Sequence, residues 1–274
     1  MNQIPFMKLS GAGNDFVIID NRQKIVPYEG TDFVAKVCRR RMSVGADGVL
    51  LVENSNVADF KMRYFNADGG EVETCGNGAR CISKFAYVNG IVGEQMRFET
   101  RAGIYESEIV GANVKVGMGA PTNLRLSFPL KLKDGLHTVC FANTGVPHVV
   151  FFVEDLAGAD VVDLGRQTRY HDDFKPAGTN ANFVHIQDAN AITIRTYERG
   201  VEDETLACGT GSIAAAVIAA ALGKATSPVA VTTASKSVLT IHFAWVGGQP
   251  KNVHLEGDAR IIYSGELTKD AWEY

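Results

Sequence analysis

Four landmarks in this chain recur, in the same order, about 133 residues further on. Gly11-Ala-Gly13-Asn14 has a counterpart in Asn143-Thr-Gly145, at 145 − 13 = 132. Cys75-Gly-Asn-Gly78 returns as Cys208-Gly-Thr-Gly211, at 208 − 75 = 133. Asn89-Gly90 returns as Leu222-Gly223, and the strand-like Phe98-Glu-Thr-Arg101 as Val231-Thr-Thr-Ala234, both again at 133. A period this long constrains the fold more than any local propensity, because each half must bury its own core in the same way. It predicts a duplicated domain; the alternative is a single α+β domain with chance similarities. The break is expected in Gly119-Ala-Pro-Thr-Asn-Leu-Arg-Leu-Ser-Phe-Pro129, a polar stretch punctuated by two prolines. With 274 residues, the chain is long enough for two domains of ordinary size.

Within each half the pattern reads as strands plus one or two helices. Val17–Asp20, Gly48–Glu53 and Phe60–Phe65 are strand-like, and Tyr105–Val116 reads as a hairpin about Gly111-Ala-Asn113. Asn182–Ile186 and Ala191–Tyr197 flank the polar turn Gln187-Asp-Ala-Asn190. Thr31–Arg40 reads as a helix capped by Thr31 or Asp32. Asn77–Val88 and Thr210–Leu222 are the helices that follow the two Cys-Gly-x-Gly turns. The second carries Ala214-Ala-Ala216 and Ala219-Ala-Ala221, a composition that favours a helix closely surrounded by strands.

Bulk properties exclude several classes. The net charge is −4, and no basic stripe is visible, so nucleic acid is not an expected partner. The N-terminus has no export-signal pattern, and the longest small/apolar stretch, Ile213–Leu222, is too short to span a membrane. Five irregularly spaced cysteines point to reduced thiols in the cytoplasm. Cys38, Cys81 and Cys140 sit in apolar contexts and read as small core residues.

Cys75 and Cys208 are different. Each directly precedes a Gly-x-Gly turn and a helix start, where unpaired N–H groups and the positive end of the helix dipole stabilise a thiolate. The glycines let a ligand approach the backbone, and the same N–H groups can hold a carboxylate. Two such thiols suit inversion of a stereocentre. One sulfur takes a proton as base, the other returns one as acid, and the helix starts stabilise charge developing on the α-carboxylate. Two rival readings are weaker. The C-x5-C spacing of Cys75 and Cys81 is not a zinc pair, and no cluster completes four ligands, so no metal is expected. Gly209-Thr-Gly-Ser-Ile-Ala214 loosely matches a dinucleotide fingerprint, but no alternating β-α-β pattern surrounds it.

On these residues the chain resembles the diaminopimelate epimerase family. The resemblance is carried by Phe6-Met-Lys-Leu-Ser-Gly-Ala-Gly-Asn14-Asp-Phe16, by Phe65–Cys81 and by Tyr197–Gly211, and it covers nearly all of the chain. It implies an α+β fold of two pseudo-symmetric domains, each a curved mixed β-sheet or barrel around a central helix, with the site in the cleft between them. The halves would be residues 1–120 and 121–258, with a last strand near 259–274 returning to the first. It implies a cofactor-independent enzyme, a cytoplasmic homodimer, that interconverts LL- and meso-2,6-diaminopimelate.

The resemblance also implies residue roles. Cys75 and Cys208 are the acid/base thiols, assisted by His148 and Glu198 respectively. The backbone of Gly76-Asn77 and Gly209-Thr210 holds the reacting carboxylate. Asn14, Asn66, Asn180, Glu198 and Arg199 bind the substrate; the asparagines and Arg199 read its distal amino acid group, for which a guanidinium fork and side-chain amides are suited. Turn chemistry is the competing reading for Asn66 and Asn180. Two positions depart from the family. Val146 precedes Pro147-His148 where many members have asparagine, and Gly48 stands where some have a glutamine that reaches substrate. A proline racemase is the nearest rival, but its first motif typically reads Cys-Gly-His-Gly, whereas here Asn77 occupies the third position. A binding module with relic thiols is the non-enzymatic alternative; all four acid/base residues being in place argues against it.

Overall fold

The computed structural model describes residues 3–27, 32–73 and 75–274. It divides into two units, Met1–Val116 with Gly257–Tyr274, and Gly117–Glu256.

The first unit opens with β1 (Ile4–Gly11) and β2 (Asn14–Asp20), followed by α1 (Phe33–Cys38), β3 (Gly48–Glu53), β4 (Phe60–Asn66) and the short β5 (Glu71–Val72). After α2 (Gly76–Val88) come β6 (Gln95–Thr100), β7 (Gly103–Val110) and β8 (Asn113–Gly117). The runs Phe16–Ile19 and Val49–Val52 are apolar at every position because both faces of their strands are covered. On one face Val17, Ile19, Val49 and Leu51 pack with Phe33, Val34, Val37 and Cys38 of α1. On the other, Leu50 and Met62 approach Gly78 of α2. The central helix α2 is packed against β1, β2, β3, β4 and β7, so the sheet curls around it.

The second unit contains β9 (Thr122–Leu132), β10 (Gly135–Asn143), β11 (Pro147–Phe152), α3 (Val161–Arg169), β12 (Asn180–Asp188), β13 (Ala191–Glu198) and β14 (Asp203–Thr205). It continues with α4 (Gly209–Ala221), β15 (Val229–Thr232), β16 (Val238–Val246) and β17 (Gln249–Asp258). The chain then returns to the first unit as β18 (Arg260–Leu267), which pairs antiparallel with β1.

Strand pairing shows the duplication directly. In the first unit β1–β2 is antiparallel, β2–β3 parallel, β3–β4 and β4–β5 antiparallel, β4–β6 parallel, and β6–β7 and β7–β8 antiparallel. In the second unit β10–β11 is antiparallel, β11–β12 parallel, β12–β13 and β13–β14 antiparallel, β13–β15 parallel, and β15–β16 and β16–β17 antiparallel. The partner of β10 is β9, as that of β1 is β18. The central helices match residue for residue, since 209 − 76 and 221 − 88 are both 133. Each ends on a left-handed glycine one residue past its cap, Gly90 (φ 66°) and Gly223 (φ 69°). α4 is buried at every residue from Gly211 to Ala219 and packs against β10–β13, β15 and β16. Its alanines let those strands approach closely.

Two local readings differ from the structure, and the polar stretch 119–129 is largely β9, which pairs with β10 through two irregularities. Positive φ at Asn123 and Ser127 accompanies them, and Pro129 is tolerated because, among the described pairings, β9 bonds only to β10. The first helix is shorter than Thr31–Arg40. Thr31 lies outside the described residues, Asp32 occupies the cap position without a side-chain cap bond, and Arg39 is already extended. α3 has no counterpart in the sequence reading. Gly165 obscures its helical pattern, yet a Cβ there would lie 2.4 Å from Tyr197 Cβ, so the glycine is what lets the helix pack on β13.

Candidate active site

Each thiol sits at the cap of its unit's central helix. Cys75 caps α2 with extended backbone (φ −149°, ψ 124°), and Gly78 N–H donates to its Sγ at 3.5 Å. Its thiol donates to Asn14 Oδ1 at 3.7 Å. Asn14 is held in that orientation by Asp47, whose Oδ2 accepts from Asn14 Nδ2 at 2.7 Å. Asp47 is in turn fixed by Arg40, which also pairs with Asp15, and Lys8 bonds Asp15 and the Gly45 carbonyl. Around Asp15 this ion cluster outweighs burial and lowers the carboxyl to about 2. Asn66 ends β4 and closes a turn, with its backbone bonded to Gly69 and Gly70. Asn77 is buried, and its Oδ1 accepts from Arg80.

Cys208 caps α4, is 8% exposed, and lies 3.4 Å from Thr210 Oγ1. Thr210 Oγ1 is in turn 3.0 Å from Nε2 of His148, which comes from β11 and is fully buried. The histidine's tautomer follows from its other neighbour. Asn182 Nδ2 donates to the Val149 carbonyl at 2.9 Å, which identifies it as the amide nitrogen. The same nitrogen stands 3.1 Å from His148 Nδ1, so Nδ1 accepts and Nε2 carries the proton toward Thr210. Burial drives the His148 pKa down to about 3, only partly offset by Asn182, so the ring is neutral. Within the second unit the residues therefore form one line, Asn182–His148–Thr210–Cys208. Gly211 closes it from the helix side: a Cβ there would lie 2.3 Å from Asn182 Oδ1 and 3.4 Å from Cys208 Sγ.

Glu198 ends β13, and its Oε2 accepts from Thr205 at 3.0 Å. Burial raises its pKa, and the Thr205 bond opposes this. Asn180 is buried; its amide donates to the Pro147 carbonyl and accepts from the backbone N–H of Arg199. It therefore fixes the backbone beside Glu198 and Arg199, whose guanidinium reaches the Ala177 carbonyl. Gly48 has no room for a side chain of any kind, because a Cβ would lie 2.5 Å from the Phe65 carbonyl oxygen. All five cysteines are reduced thiols. Burial raises Cys38 and Cys81 to about 12 and raises Cys140 as well. Among the described residues no cluster of three or more His, Cys, Asp and Glu is placed to hold a metal ion.

The sequence profile described as diaminopimelate epimerase matches residues 6–124 and 140–257, which together are most of the chain. The chain belongs to the diaminopimelate epimerase family. Relatives carrying that name include one from Aquifex aeolicus (strain VF5), 44% identical across 98% of this chain and 99% of its own length. One from Archaeoglobus fulgidus is 46% identical across 99% of both chains. Among solved structures, a phenazine biosynthesis protein of the PhzF family from Enterococcus faecalis superposes with a TM-score of 0.72 at 14% identity, covering 97% of this chain and 100% of its own. A hydroxyproline epimerase from Agrobacterium vitis gives 0.68 at 14% identity, covering 98% and 97%. At these identities the structural likeness shows the fold alone.

The sequence reading passed over Asn182 and Asp47. Each had a local signal: Asn182 is a lone amide in the apolar run Ala181–Val184, and Asp47 directly precedes the buried strand β3. Their partners, 34 and 33 residues away, are visible only in the fold.

Proposed function

We propose that this protein interconverts LL- and meso-2,6-diaminopimelate by a two-thiol, cofactor-independent epimerisation. The observation that carries the reading is the duplicated placement of Cys75 and Cys208, each capping a 13-residue helix at the same point of the same strand topology. One sulfur, as thiolate, takes the α-proton, and the other, as thiol, delivers a proton to the opposite face of that carbon. In the reverse direction they exchange roles. The N–H groups at Gly76-Asn77 and Gly209-Thr210 hold the α-carboxylate as negative charge develops there.

His148 and Glu198 serve as the helpers of the two thiols. A buried neutral imidazole and a carboxyl raised by burial are groups whose shifted acidity suits acid/base assistance. Asn14, Asn66 and Arg199 read the distal amino acid group, and Asn180 supports that subsite by fixing the Arg199 backbone. With no side-chain space at Gly48, distal recognition rests on this remaining set. The reading takes the enzyme to be a cytoplasmic homodimer, with an N-terminal half of residues 1–120 joined by 259–274 and a C-terminal half of 121–258. Among the described residues no helix is long and apolar enough to cross a membrane.

The test is turnover of LL-diaminopimelate without added cofactor by Cys75→Ala and by Cys208→Ala. Each loses epimerisation by at least about a thousandfold, comparable to removal of a central acid/base or nucleophilic group. Appreciable turnover by either variant would overturn the two-thiol mechanism.

A further inference from the structure

Arg80 lies one turn into α2 and is fully buried, a placement that is costly for a cation unless its charge is answered. Its Nε donates to the Asp258 main-chain carbonyl at 3.1 Å, Nη1 to the Gly76 carbonyl at 3.4 Å, and Nη2 to Asn77 Oδ1 at 3.0 Å. These acceptors are neutral oxygens. Gly11 makes the space: a Cβ there would lie 3.4 Å from Arg80 Nη2 and 3.2 Å from Cys81 Sγ. At the matching place in the second half, 133 residues on, stands Ile213, also fully buried. The duplicated helices thus differ by one buried positive charge beside one of the two motif cysteines.

The groups that interact electrostatically with Arg80 are Cys81, Asp258 and Cys75. Cys81 is held neutral, because burial raises it to about 12. The Asp258 carboxylate is already engaged, taking the Ala12 N–H at 2.9 Å and Arg260 Nε at 3.0 Å. At the described contacts of α2 with β3, β4 and β7 the facing side chains are uncharged. β3 and β4 present Leu50 and Met62, and β7 presents Ser107 to Ser83. The Lys8, Asp15, Arg40 and Asp47 cluster acts on Cys38 and also adjoins Cys75 through Asn14, which Asp47 holds. Asp258 shares in answering the charge, and Cys75 is the motif thiol among the groups that do so. The thiol bond to Asn14 Oδ1 favours its protonated form, but at 3.7 Å it is a weak S–H donor against a desolvated full charge, and Gly78 N–H donates to the same sulfur.

We propose that Arg80 is a positioning residue of the first half-site, which fixes Asn77 and the first turn of α2 and whose buried charge biases Cys75 toward thiolate. Cys75 is then the thiol that stands ready as base in the resting protein, and the two halves of the duplicated site are not chemically equivalent. This deepens the epimerase reading and rests on Cys75 being one of its two proton-transfer groups.

The experiment measures the pH dependence of Cys75 alkylation by iodoacetamide in a Cys208→Ser background, with the modified peptide identified by mass spectrometry. Alkylation reports the thiolate itself and needs no turnover, so this inference and the epimerase reading can fail separately. With Arg80 present, the midpoint falls below the ordinary thiol value of about 8.5. Arg80→Gln, which keeps polar contacts but no charge, raises it by about 1–3 pH units, and Arg80→Lys restores at least half of that shift. A midpoint at or above about 8.5 in the Arg80 protein would overturn the proposal without any Arg80 variant being needed. An unmoved midpoint in a folded Arg80→Gln protein would overturn it as well.

Discussion

At the scale of single residues, the second half-site is organised by an amide. Asn182 leaves Nδ1 of His148 as an acceptor, directs Nε2–H to Thr210, and sits where only a glycine at 211 leaves room. A histidine buried neutral makes the fold acid-sensitive. In the unfolded chain it takes a proton near pH 6.5, whereas in the fold it resists protonation down to about pH 3. Between these values the unfolded state binds more protons, so stability is fully present above about pH 6.5 and is lost as pH falls through this window. Denaturant titrations of the wild type and of His148→Gln, from pH 7 to pH 4, should differ in slope by up to about 1.4 kcal/mol per pH unit, the wild type losing more. Parallel slopes would mean that His148 is not buried neutral.

Gly48 carries the second prediction at this scale. A glutamine there would press its Cβ into the Phe65 carbonyl and the Tyr64 ring, at 2.5 and 2.6 Å. Gly48→Gln should therefore destabilise by about 1–3 kcal/mol or more in chemical denaturation, through overpacking between β3 and β4. A variant as stable as wild type would show that this strand pair can open to admit a side chain.

At the scale of elements, legibility followed local pattern. Both central helices could be read because Gly-x-Gly starts, apolar spacing and terminal Asn-Gly or Leu-Gly act within a few residues. β2, β3, β4, β12 and β13 were legible from unbroken or alternating apolar runs. β9 and α3 were not, because each breaks a local rule for a tertiary reason: Pro129 and two left-handed residues in a strand, and Gly165 under Tyr197 in a helix. In the site, Cys75 and Cys208 announced themselves by position. The inward turn of the Asn77 side chain toward Arg80, and the tie from Asn180 to the Arg199 backbone, depend on contacts that only the fold creates. The alanine run of α4 makes its own prediction. Ala216 is fully buried in a helix packed against six strands. Ala216→Leu should lose about 1–3 kcal/mol in chemical denaturation despite leucine's good helix propensity, since the added methylenes have no space to enter. A neutral effect would mean that α4 is less tightly wrapped than described.

At the scale of the whole molecule, one strand topology is used twice, and each copy places a cysteine at the cap of its enclosed helix. Duplication supplies two similar thiol environments, which the proposed two-thiol reaction, run in both directions, needs. Departures from strict repetition then differentiate them: Arg80 against Ile213, Asn77 against Thr210, and a histidine line in the second unit only. The family assignment and the repeated architecture account for the same residues, from the opening Asn14 to the second Cys-Gly-x-Gly turn. In the proposed mechanism protons leave and return through the two thiols. Its most direct test is turnover of LL-diaminopimelate in deuterated water without added cofactor, read by mass spectrometry of the meso product. The meso product should carry deuterium at the inverted α-carbon from the first turnovers. Meso product formed without α-deuterium would contradict the mechanism.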